Sequence, residues 1–374
     1  MKKLITWLKQ EIVLGIALFL AIVSAFVIHP DREYVNYIDF RTLAILLCLM
    51  AVMAGLQKIG LFRYVAERLL KQVKHIRALM FILIMLCFFS SMIITNDVAL
   101  ITFVPFTFIV LKMVLGELAE KQIVPIVVMQ TIAANLGSML TPIGNPQNLY
   151  LYGKSSMNFG EFILFMLPYT SVAFVLLVLW CFLVPYKGDK AISFQLDEQT
   201  SLKESKIPLV LYLLLFVVCI LTVAHVIPYG VMLVVVLVMI AIVDKTVFKD
   251  VDYGLLLTFV GFFIFIGNMG RIPAFHNFIQ QMIDGNEILT SVVSSQFMSN
   301  VPAALLLSGF TTEHKLLIVG TNIGGLGTLI ASMASLISFK YIGKEYSHLK
   351  GKYMAYFTIS NIIFLVFLFV STLY

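Results

Sequence analysis

The sequence predicts an all-α polytopic membrane protein with inverted repeats, nine full spans, two re-entrant hairpins and two broken helices. Three observations predict this fold: an apolar composition, apolar runs of span length, and sequence blocks that recur in order. Of the 374 residues, 60% are hydrophobic and 12% are charged, whereas soluble domains have about 45–50% and about 25%. This composition excludes a soluble enzyme, a disordered protein and a nucleic-acid reader, and we expect no nucleic-acid partner.

The full spans follow from the length of the apolar runs. A bilayer core about 30 Å thick needs roughly 20 apolar residues of helix. The predicted spans are 12–28, 38–56, 123–150, 162–185, 207–226, 228–243, 251–269, 316–339 and 353–373. Because their number is odd, the two termini are expected on opposite sides of the membrane.

The distribution of basic residues sets the orientation. With the N-terminus inside, 21 of the 26 Lys and Arg residues fall on the inner side and five on the outer side. An excess of Lys and Arg marks the cytoplasmic side of a membrane protein. We therefore predict a multi-pass protein of the cell (inner or plasma) membrane, with a cytoplasmic N-terminus and a C-terminus outside.

Two further apolar runs, 77–115 and 287–311, are interrupted by polar clusters. The first cluster is Thr95-Asn96-Asp97, and the second is Ser299-Asn300. Each run is either a helical hairpin that dips into the membrane and returns, or two full spans joined by a loop. Both alternatives return the chain to the side that it left.

Three blocks recur in the same order in the two halves. Segment 39–70 aligns with 252–283, and the motif Ser91-x-x-x-Thr95-Asn96 aligns with Ser295-x-x-x-Ser299-Asn300. Segment 135–141 aligns with 322–328, which sets Gly144 opposite Ala331. The charge-based topology starts one copy outside and the other inside, so the repeats are predicted to be inverted. Inverted repeats are typical of secondary transporters, which bind substrate near the midplane where the repeats meet.

The predicted organisation follows from these repeats. Its parts are an N-terminal scaffold helix (1–38), repeat 1 (39–186, with hairpin 77–115 and broken helix 122–152), a cytoplasmic linker (187–206), linking helices (207–250), repeat 2 (251–352, with hairpin 287–311 and broken helix 315–339) and a C-terminal helix (353–374).

The broken helices are expected where proline and glycine interrupt apolar runs. Ile143-Gly144-Asn145-Pro146-Gln147-Asn148 should be unwound, because proline removes a donor and clashes with the preceding turn. Segment 322–332, with three glycines, is its counterpart. Exposed carbonyls and Ser, Thr and Asn oxygens suit Na⁺, and the N-termini of half-helices suit an anion.

These elements define the candidate site residues. The first predicted Na⁺ site combines Ser91, Thr95, Asn96 and the Gly144 backbone, and the second combines Ser295, Ser299, Asn300 and the Ala331 backbone. The alternative for the serines is a hydrogen bond back to their own helix. The predicted substrate-binding residues are Asn96, Asp97, Asn145 and Asn300.

Asp97 is a carboxylate deep in an apolar stretch. At that depth an ionised carboxylate needs a cation, a donor or a proton, so Asp97 is a candidate proton carrier or cation ligand; the alternative is a helix N-cap. No HExxH or P-loop motif occurs. We therefore predict no enzyme, no ATPase motor and no cofactor besides the coupling ion, Na⁺ or H⁺.

At these residues the chain resembles the ion transporter superfamily, which includes divalent anion:sodium symporters, citrate transporters, arsenite permeases and sodium/proton antiporters. Thr95-Asn96-Asp97 and Ser299-Asn300-Val301 are similar to its paired hairpin-tip signatures, and 143–148 is similar to its Pro-Asn break. The resemblance implies a homodimer, an elevator-like transport domain and two sodium sites. Asp97 and Val301 stand where the dicarboxylate symporters have threonine, and the Asn-Asp pair is closer to the arsenite and antiporter branches.

The predicted function is therefore a secondary active transporter of a small anion, either a di- or tricarboxylate or an inorganic oxyanion, coupled to Na⁺ or H⁺. The alternative is a proton-driven efflux antiporter for arsenite or sodium. A third hypothesis is a non-transporting membrane receptor or assembly subunit.

Overall fold

The computed structural model describes residues 12–71, 73–183 and 206–373, and these are helical with no β-strand among them. The 18 α-helices are α1 (Ile12–Val27), α2 (Glu33–Tyr37), α3 (Phe40–Lys58), α4 (Leu61–Leu70), α5 (Ile76–Ser90), α6 (Asn96–Leu115), α7 (Ala119–Ser138), α8 (Pro146–Lys154), α9 (Phe159–Leu183), α10 (Lys206–Val223), α11 (Tyr229–Asp244), α12 (Tyr253–Gly270), α13 (Pro273–Ile283), α14 (Glu287–Met298), α15 (Asn300–Leu307), α16 (His314–Ile323), α17 (Met333–Glu345) and α18 (Lys350–Ser371).

Seven of the described helices are long and apolar enough to cross a membrane: α3, α6, α9, α10, α11, α12 and α18. The all-helical membrane fold is therefore confirmed. α1, predicted as a full span, is a helix of 16 residues. α6, predicted as the second arm of a hairpin, has 20 residues, which gives it a length of about 30 Å.

The two predicted broken helices are each divided in two. Segment 122–152 contains α7 and α8, separated by residues 139–145, and segment 315–339 contains α16 and the start of α17, separated by 324–332. One boundary differs from the prediction, because residues 146–148 are helical and not unwound. Asn145 caps α8, and Pro146 fits the first helical position, where its missing N–H is not needed.

The two halves of the chain contain the same succession of seven elements. A long helix (α3, α12) is followed by a short one (α4, α13), two helices around a polar interruption (α5–α6, α14–α15), two half-helices (α7–α8, α16–α17) and a long helix (α9, α18). Asp39 and Asp252 begin the halves as N-caps whose side chains accept from Thr42 N and Leu255 N. Opposite orientation of the halves in the membrane remains a prediction.

α1 and α12 form one packed pair. Asn268 Nδ2 donates to Ser24 Oγ at 3.0 Å and to Tyr34 Oη at 2.8 Å. At the end of this pair Arg271 Nη1 donates to Asp31 Oδ2 at 2.6 Å, and this hydrogen bond lowers the pKa of the Asp31 carboxyl. α3 packs instead against α10 and α11, so these long helices form a frame beside the interrupted ones.

The interrupted helices pack on each other in both halves. α5 and α6 pack against α7, and α14 and α15 pack against α16. α17 packs on α6, and α8 packs on α16, so each broken helix contacts the hairpin or broken helix of the other half.

The predicted linker 187–206 lies outside the described residues apart from Lys206, which begins α10. Residues 1–11 of the predicted N-terminal scaffold helix lie outside them too.

Candidate functional site

The two polar interruptions, Thr95-Asn96-Asp97 and Ser299-Asn300, are called here the first and second tips, and residues 139–145 and 324–332 are called the first and second breaks. Each tip is hydrogen bonded to the break of its own half. Asn96 N donates to the Gly144 carbonyl at 3.1 Å, and Asn300 N donates to the Ala331 carbonyl at 2.9 Å. The same two residues are grouped in each predicted Na⁺ site, Asn96 with Gly144 and Asn300 with Ala331. The structure thus brings each predicted tip to its predicted backbone partner.

Glycines permit this close approach. An ideal Cβ on Gly144 would lie 2.0 Å from the Ser138 carbonyl oxygen, and one on Gly137 would lie 2.0 Å from the Phe88 carbonyl oxygen. In the second half, a Cβ on Gly324 would lie 2.7 Å from Ser295 Oγ. Gly137 and Gly324 occupy aligned positions. Each hairpin therefore approaches the first half-helix of its own half, α7 or α16, at the equivalent position of the sequence.

Five buried polar side chains connect the two halves at the breaks. Asn145 Nδ2 donates to Asn322 Oδ1 at 2.9 Å, and Ser332 Oγ donates to Asn135 Oδ1 at 2.9 Å. Asn322 Nδ2 also donates to Asn148 Oδ1 at 2.5 Å. In the alignment Asn145 is opposite Ser332, and Asn135 is opposite Asn322, so the first two bonds are counterparts of each other.

Of these connecting residues only Asn145 was predicted to be functional. Asn96 joins the network because its Nδ2 donates to Asn135 Oδ1 at 3.1 Å. The sequence does contain a signal, since Asn135 and Asn322 are the first residues of the two aligned blocks. Buried hydrogen-bonded networks of this kind fix a unique arrangement of the elements that they join.

The predicted cation ligands Ser91 and Ser295 donate hydrogen bonds to carbonyls of their own helices, which is the alternative predicted for these serines. Ser91 Oγ donates to the Phe88 carbonyl at 2.9 Å, and Ser295 Oγ donates to the Ser291 carbonyl at 2.7 Å. Both serines are fully buried. Their hydroxyl lone pairs remain the oxygen groups through which they could hold a cation.

The two tips differ in backbone conformation. Thr95 is extended, with φ −63° and ψ 152°, and its side chain accepts from Val98 N. Ser299 has φ 75° and ψ 154°, in a region that is essentially reserved for glycine. A single residue separates α14 from α15, and this tight reversal holds Ser299 in the strained conformation.

Ser299→Gly is therefore expected to raise the thermal stability of the detergent-purified protein by about 1 kcal/mol. The strain of such a residue is about 1–3 kcal/mol, part of which is offset by the greater freedom of glycine in the unfolded chain. Thr95→Gly is the matched control and should lower the stability by a few tenths of a kcal/mol, because it removes the side chain of a helix cap and relieves no strain. A lower melting temperature for Ser299→Gly would contradict the strain assignment.

A cavity of about 410 Å³ lies between α3 and the first tip. Its wall includes Thr95, Asp97 and Asn145 at the tip and break. At the other end the wall includes Asp252 and Lys340, which are exposed. The cavity therefore leads from the surface to the first tip.

Asp97 lies in the wall of this cavity and has one unsatisfied carboxylate oxygen. Its backbone N–H donates to Asn96 Oδ1 at 3.0 Å, whereas its buried Oδ1 has no hydrogen-bond partner among the described residues. Asn96 and Asn300 are each 5% exposed, and neither belongs to the cavity wall as the described residues define it. Of the four predicted substrate ligands, Asp97 and Asn145 thus contact the open space.

The sequence matches the model of a known family. Residues 4–314 match the model of a family described as citrate transporter. The chain belongs to the citrate transporter family. The match includes both tips and the first break, and it ends before the second break at 324–332.

Similar proteins are described as a membrane protein or as transporters. The chain is 31% identical over 320 residues to the inner membrane protein YbiR of Escherichia coli, covering 85% of this chain and 84% of that protein. It is 33% identical over 319 residues to the uncharacterized transporter MJ0456 of Methanocaldococcus jannaschii, covering 84% of each. It is also 33% identical over 144 residues to the silicon efflux transporter LSI3 of Oryza sativa subsp. japonica, covering 38% of this chain and 28% of that protein.

As a member of the citrate transporter family, this chain is a membrane transporter and not an enzyme. The resemblance to the ion transporter superfamily is thereby confirmed.

Proposed function

We propose that this transporter moves a small anion, a di- or tricarboxylate or an inorganic oxyanion, together with Na⁺ or H⁺ across the cell membrane by alternating access. The observation that carries the proposal is the cavity that leads from the exposed Lys340 to Asp97 and Asn145. The family name supports an anionic substrate of the citrate type.

The two halves support alternating access because their equivalent interfaces differ. α12 packs directly on α15, whereas the cavity lies between α3 and α6, their counterparts. In a protein of inverted repeats, an exchange of the packed and the open interface between the two halves closes the cavity on one side of the membrane and opens one on the other side. With the N-terminus cytoplasmic, the cavity faces the cytoplasm, since Lys58 ends α3 and Lys340 lies on the inner side.

Helix N-termini provide the positive potential for an anion. α6 begins at Asn96 and α8 begins at Pro146, and both starts adjoin the cavity wall. N–H groups and the helix dipole favour negative charge at such ends. Ser91, Thr95, Asn96 and the Gly144 carbonyl form the first coupling-ion site in this proposal.

In the proposed cycle the interrupted helices move as an elevator-like body against the frame of long helices, within a homodimer. The frame consists of α1, α3 and α10–α12, and the moving body consists of α5–α8 and α14–α17. The bonds of Asn145 and Ser332 across the two halves would keep this body rigid during the movement.

A proton-driven efflux transporter is the second candidate, and the cavity charges favour it. Asp97, Asp250 and Asp252 line the wall with Lys340 as their basic neighbour, so the wall has an excess of carboxylates. Asp97 also has the unsatisfied oxygen, which a proton or cation would satisfy. One relative of this chain is named a silicon efflux transporter.

Gradient-driven flux in proteoliposomes tests both candidates. Labelled citrate, phosphate and arsenite are offered under an inward Na⁺ gradient and, separately, under an inward proton gradient. Movement of the labelled substrate in the same direction as the cation supports symport. Movement of the substrate in the direction opposite to the cation supports an efflux antiporter. The absence of any flux that depends on either gradient would overturn the proposed function.

Asp97→Asn is expected to remove the pH dependence of this flux, because an amide cannot exchange the proton. The fold should be unaffected, since the buried Oδ1 of Asp97 has no hydrogen bond to lose among the described residues. Flux at acidic and alkaline pH is compared with that of Asp284→Asn, an exposed carboxylate that follows α13. An unchanged pH profile in Asp97→Asn would exclude this residue as the proton carrier.

A further inference from the structure

α4 turns one apolar face to the protein and another outward. Ala66 and Leu70 are buried, and the helix contacts α3, α5 and α6. Val65 and Leu69 are exposed. Because residues four apart lie on one face of a helix, each pair forms a stripe. An exposed apolar stripe on a helix of 10 residues, which is too short to cross a bilayer, is typical of a helix that lies along the membrane surface.

A third face of α4 is basic. Arg68 and Lys71, three residues apart, are exposed, and Lys74 is exposed in the segment that joins α4 to α5. Arg68 Nη1 donates to Tyr64 Oη at 3.2 Å, which uses one of the five donors of a guanidinium group. Arg68, Lys71 and Lys74 are called here the basic flank of α4.

The segment that contains the basic flank has a large excess of positive charge. Residues 61–77 include five Lys and Arg residues and a single carboxylate, Glu67. Glu67 Oε1 accepts from Arg63 Nε at 2.8 Å. One carboxylate cannot neutralise five cations, so the segment keeps a net positive charge whatever pairs form within it.

α13, the counterpart of α4 in the second half, has the same apolar stripe. In the alignment of 39–70 with 252–283, Phe278 is opposite Val65 and Met282 is opposite Leu69, and both are exposed. The buried Ile283 is opposite Leu70. Both helices therefore have the faces of a helix that lies between the protein and an apolar phase.

The basic flank has no counterpart on α13. Gln281 is opposite Arg68, and the segment that joins α13 to α14 is Asp284-Gly285-Asn286. Residues 274–290 include two carboxylates and no Lys or Arg. The two helices thus share their apolar stripe and differ in the charge that they carry beside it.

The leaflet next to α4 is expected to be the negatively charged one. Anionic lipids give the cytoplasmic leaflet a negative surface potential, which attracts basic residues close to the membrane. In the proposed orientation α4 follows a span that begins outside, so α4 lies at the cytoplasmic surface and α13 at the outer surface. The general excess of basic residues on the inner side does not require them to lie beside an apolar stripe, which is where lipid headgroups are found.

We infer that the basic flank of α4 binds the phosphate headgroup of an anionic phospholipid in the cytoplasmic leaflet, while Val65 and Leu69 contact its acyl chains. Lys and Arg side chains keep their charges at the headgroups while their stems cover apolar surface. α4 connects α3 of the frame to α5 of the proposed moving body, so the bound lipid would fix the level of this connection in the membrane. The inference rests on the proposed orientation and not on the substrate or the coupling ion.

Lipid binding by the purified protein tests the inference. The protein is delipidated in neutral detergent and given equal amounts of phosphatidylglycerol and phosphatidylcholine, and the lipids bound per chain are counted by native mass spectrometry. The flank variant is Arg68→Gln/Lys71→Gln/Lys74→Gln. The matched control removes three exposed charges from the same predicted side of the membrane and is Lys245→Gln/Lys249→Gln/Lys344→Gln.

We expect the wild type and the control variant to bind phosphatidylglycerol in preference to phosphatidylcholine. Each basic residue near an anionic surface strengthens binding about fivefold, so the flank variant should bind phosphatidylglycerol roughly a hundredfold more weakly. Phosphatidylglycerol should also raise the melting temperature of the wild type, and this rise should disappear in 1 M NaCl, where charges are screened. If the flank variant does not fold, Arg68→Gln alone decides, with a loss of about fivefold.

Three results would overturn the inference. They are an undiminished preference for phosphatidylglycerol in the folded flank variant, an equal loss in the control variant, and an equal rise in melting temperature with inorganic phosphate, which would assign the basic flank to a soluble anion. The leaflet is tested by labelling Lys74→Cys with a membrane-impermeant maleimide, and labelling from the outer side would overturn it. The proposed function fails separately, because flux that depends on neither gradient would overturn it whatever lipid is bound.

Discussion

Asn96→Ala is expected to reduce coupled transport to background while leaving the protein folded. The side chain makes two bonds, from Nδ2 to Asn135 Oδ1 at 3.1 Å and from Asp97 N to its Oδ1 at 3.0 Å. Both are lost in the variant, whereas the backbone bond from Asn96 N to the Gly144 carbonyl is kept. The first tip would then lose its fixed orientation toward the cavity and toward the first cation site.

The effect on stability should be far smaller than the effect on transport. Of the two lost bonds, the fully buried one to Asn135 lowers the free energy of unfolding by about 1–3 kcal/mol, and Asn135 keeps its bond from Ser332. The measurement is flux in proteoliposomes, with the melting temperature measured alongside it.

Asn361→Ala is the matched control for Asn96→Ala. Asn361 is a fully buried asparagine of α18 whose Nδ2 donates to the Phe357 carbonyl at 2.9 Å, and it lies outside the tips and breaks. We expect this control to lose a similar amount of stability and to retain transport. Full activity in folded Asn96→Ala, or equal loss in both variants, would contradict the site assignment.

The positions of the tips and breaks could be predicted because their causes are local. Pro142, Gly144 and Pro146 within an apolar run interrupt a helix wherever the run lies. The grouping of Asn96 with Gly144 and of Asn300 with Ala331 also predicted that each tip lies at the break of its own half, although the direct backbone hydrogen bonds between them were not predicted. The restart of α8 at Pro146 was missed, because proline was interpreted as breaking a helix and not as its first residue.

The bonds between the halves could not be predicted from the sequence. Asn145 and Asn322 are 177 positions apart, and which side chains meet depends on how the two half-helices cross. The same is true of Gln296, which reaches the Gly324 carbonyl because Gly320 and Gly324 allow α14 to approach α16 closely. The strain at Ser299 likewise follows from the tight turn between two helices and not from residue type.

Gly137→Ala is expected to destabilise the protein by about 3 kcal/mol, a value typical of overpacking a tight core position. The added Cβ would lie 2.0 Å from the Phe88 carbonyl oxygen and 2.5 Å from Ser91 Oγ. A flexible side-chain end could move aside, but the Phe88 carbonyl is held in the backbone of α5. Relief therefore requires α5 to separate from α7, and thermal unfolding in detergent measures the result.

The matched control is Gly153→Ala in α8, where the nearest atom would be Arg41 Nη1 at 3.6 Å. In that position alanine should be neutral or stabilising by up to about 1 kcal/mol, because it favours the helix over glycine. Separation of α5 from α7 would also move the first tip away from the Gly144 carbonyl, so Gly137→Ala should lose transport together with stability. Melting temperatures that fall equally in the two variants would show that helix content, and not the close contact of α5 with α7, limits the stability of this transporter.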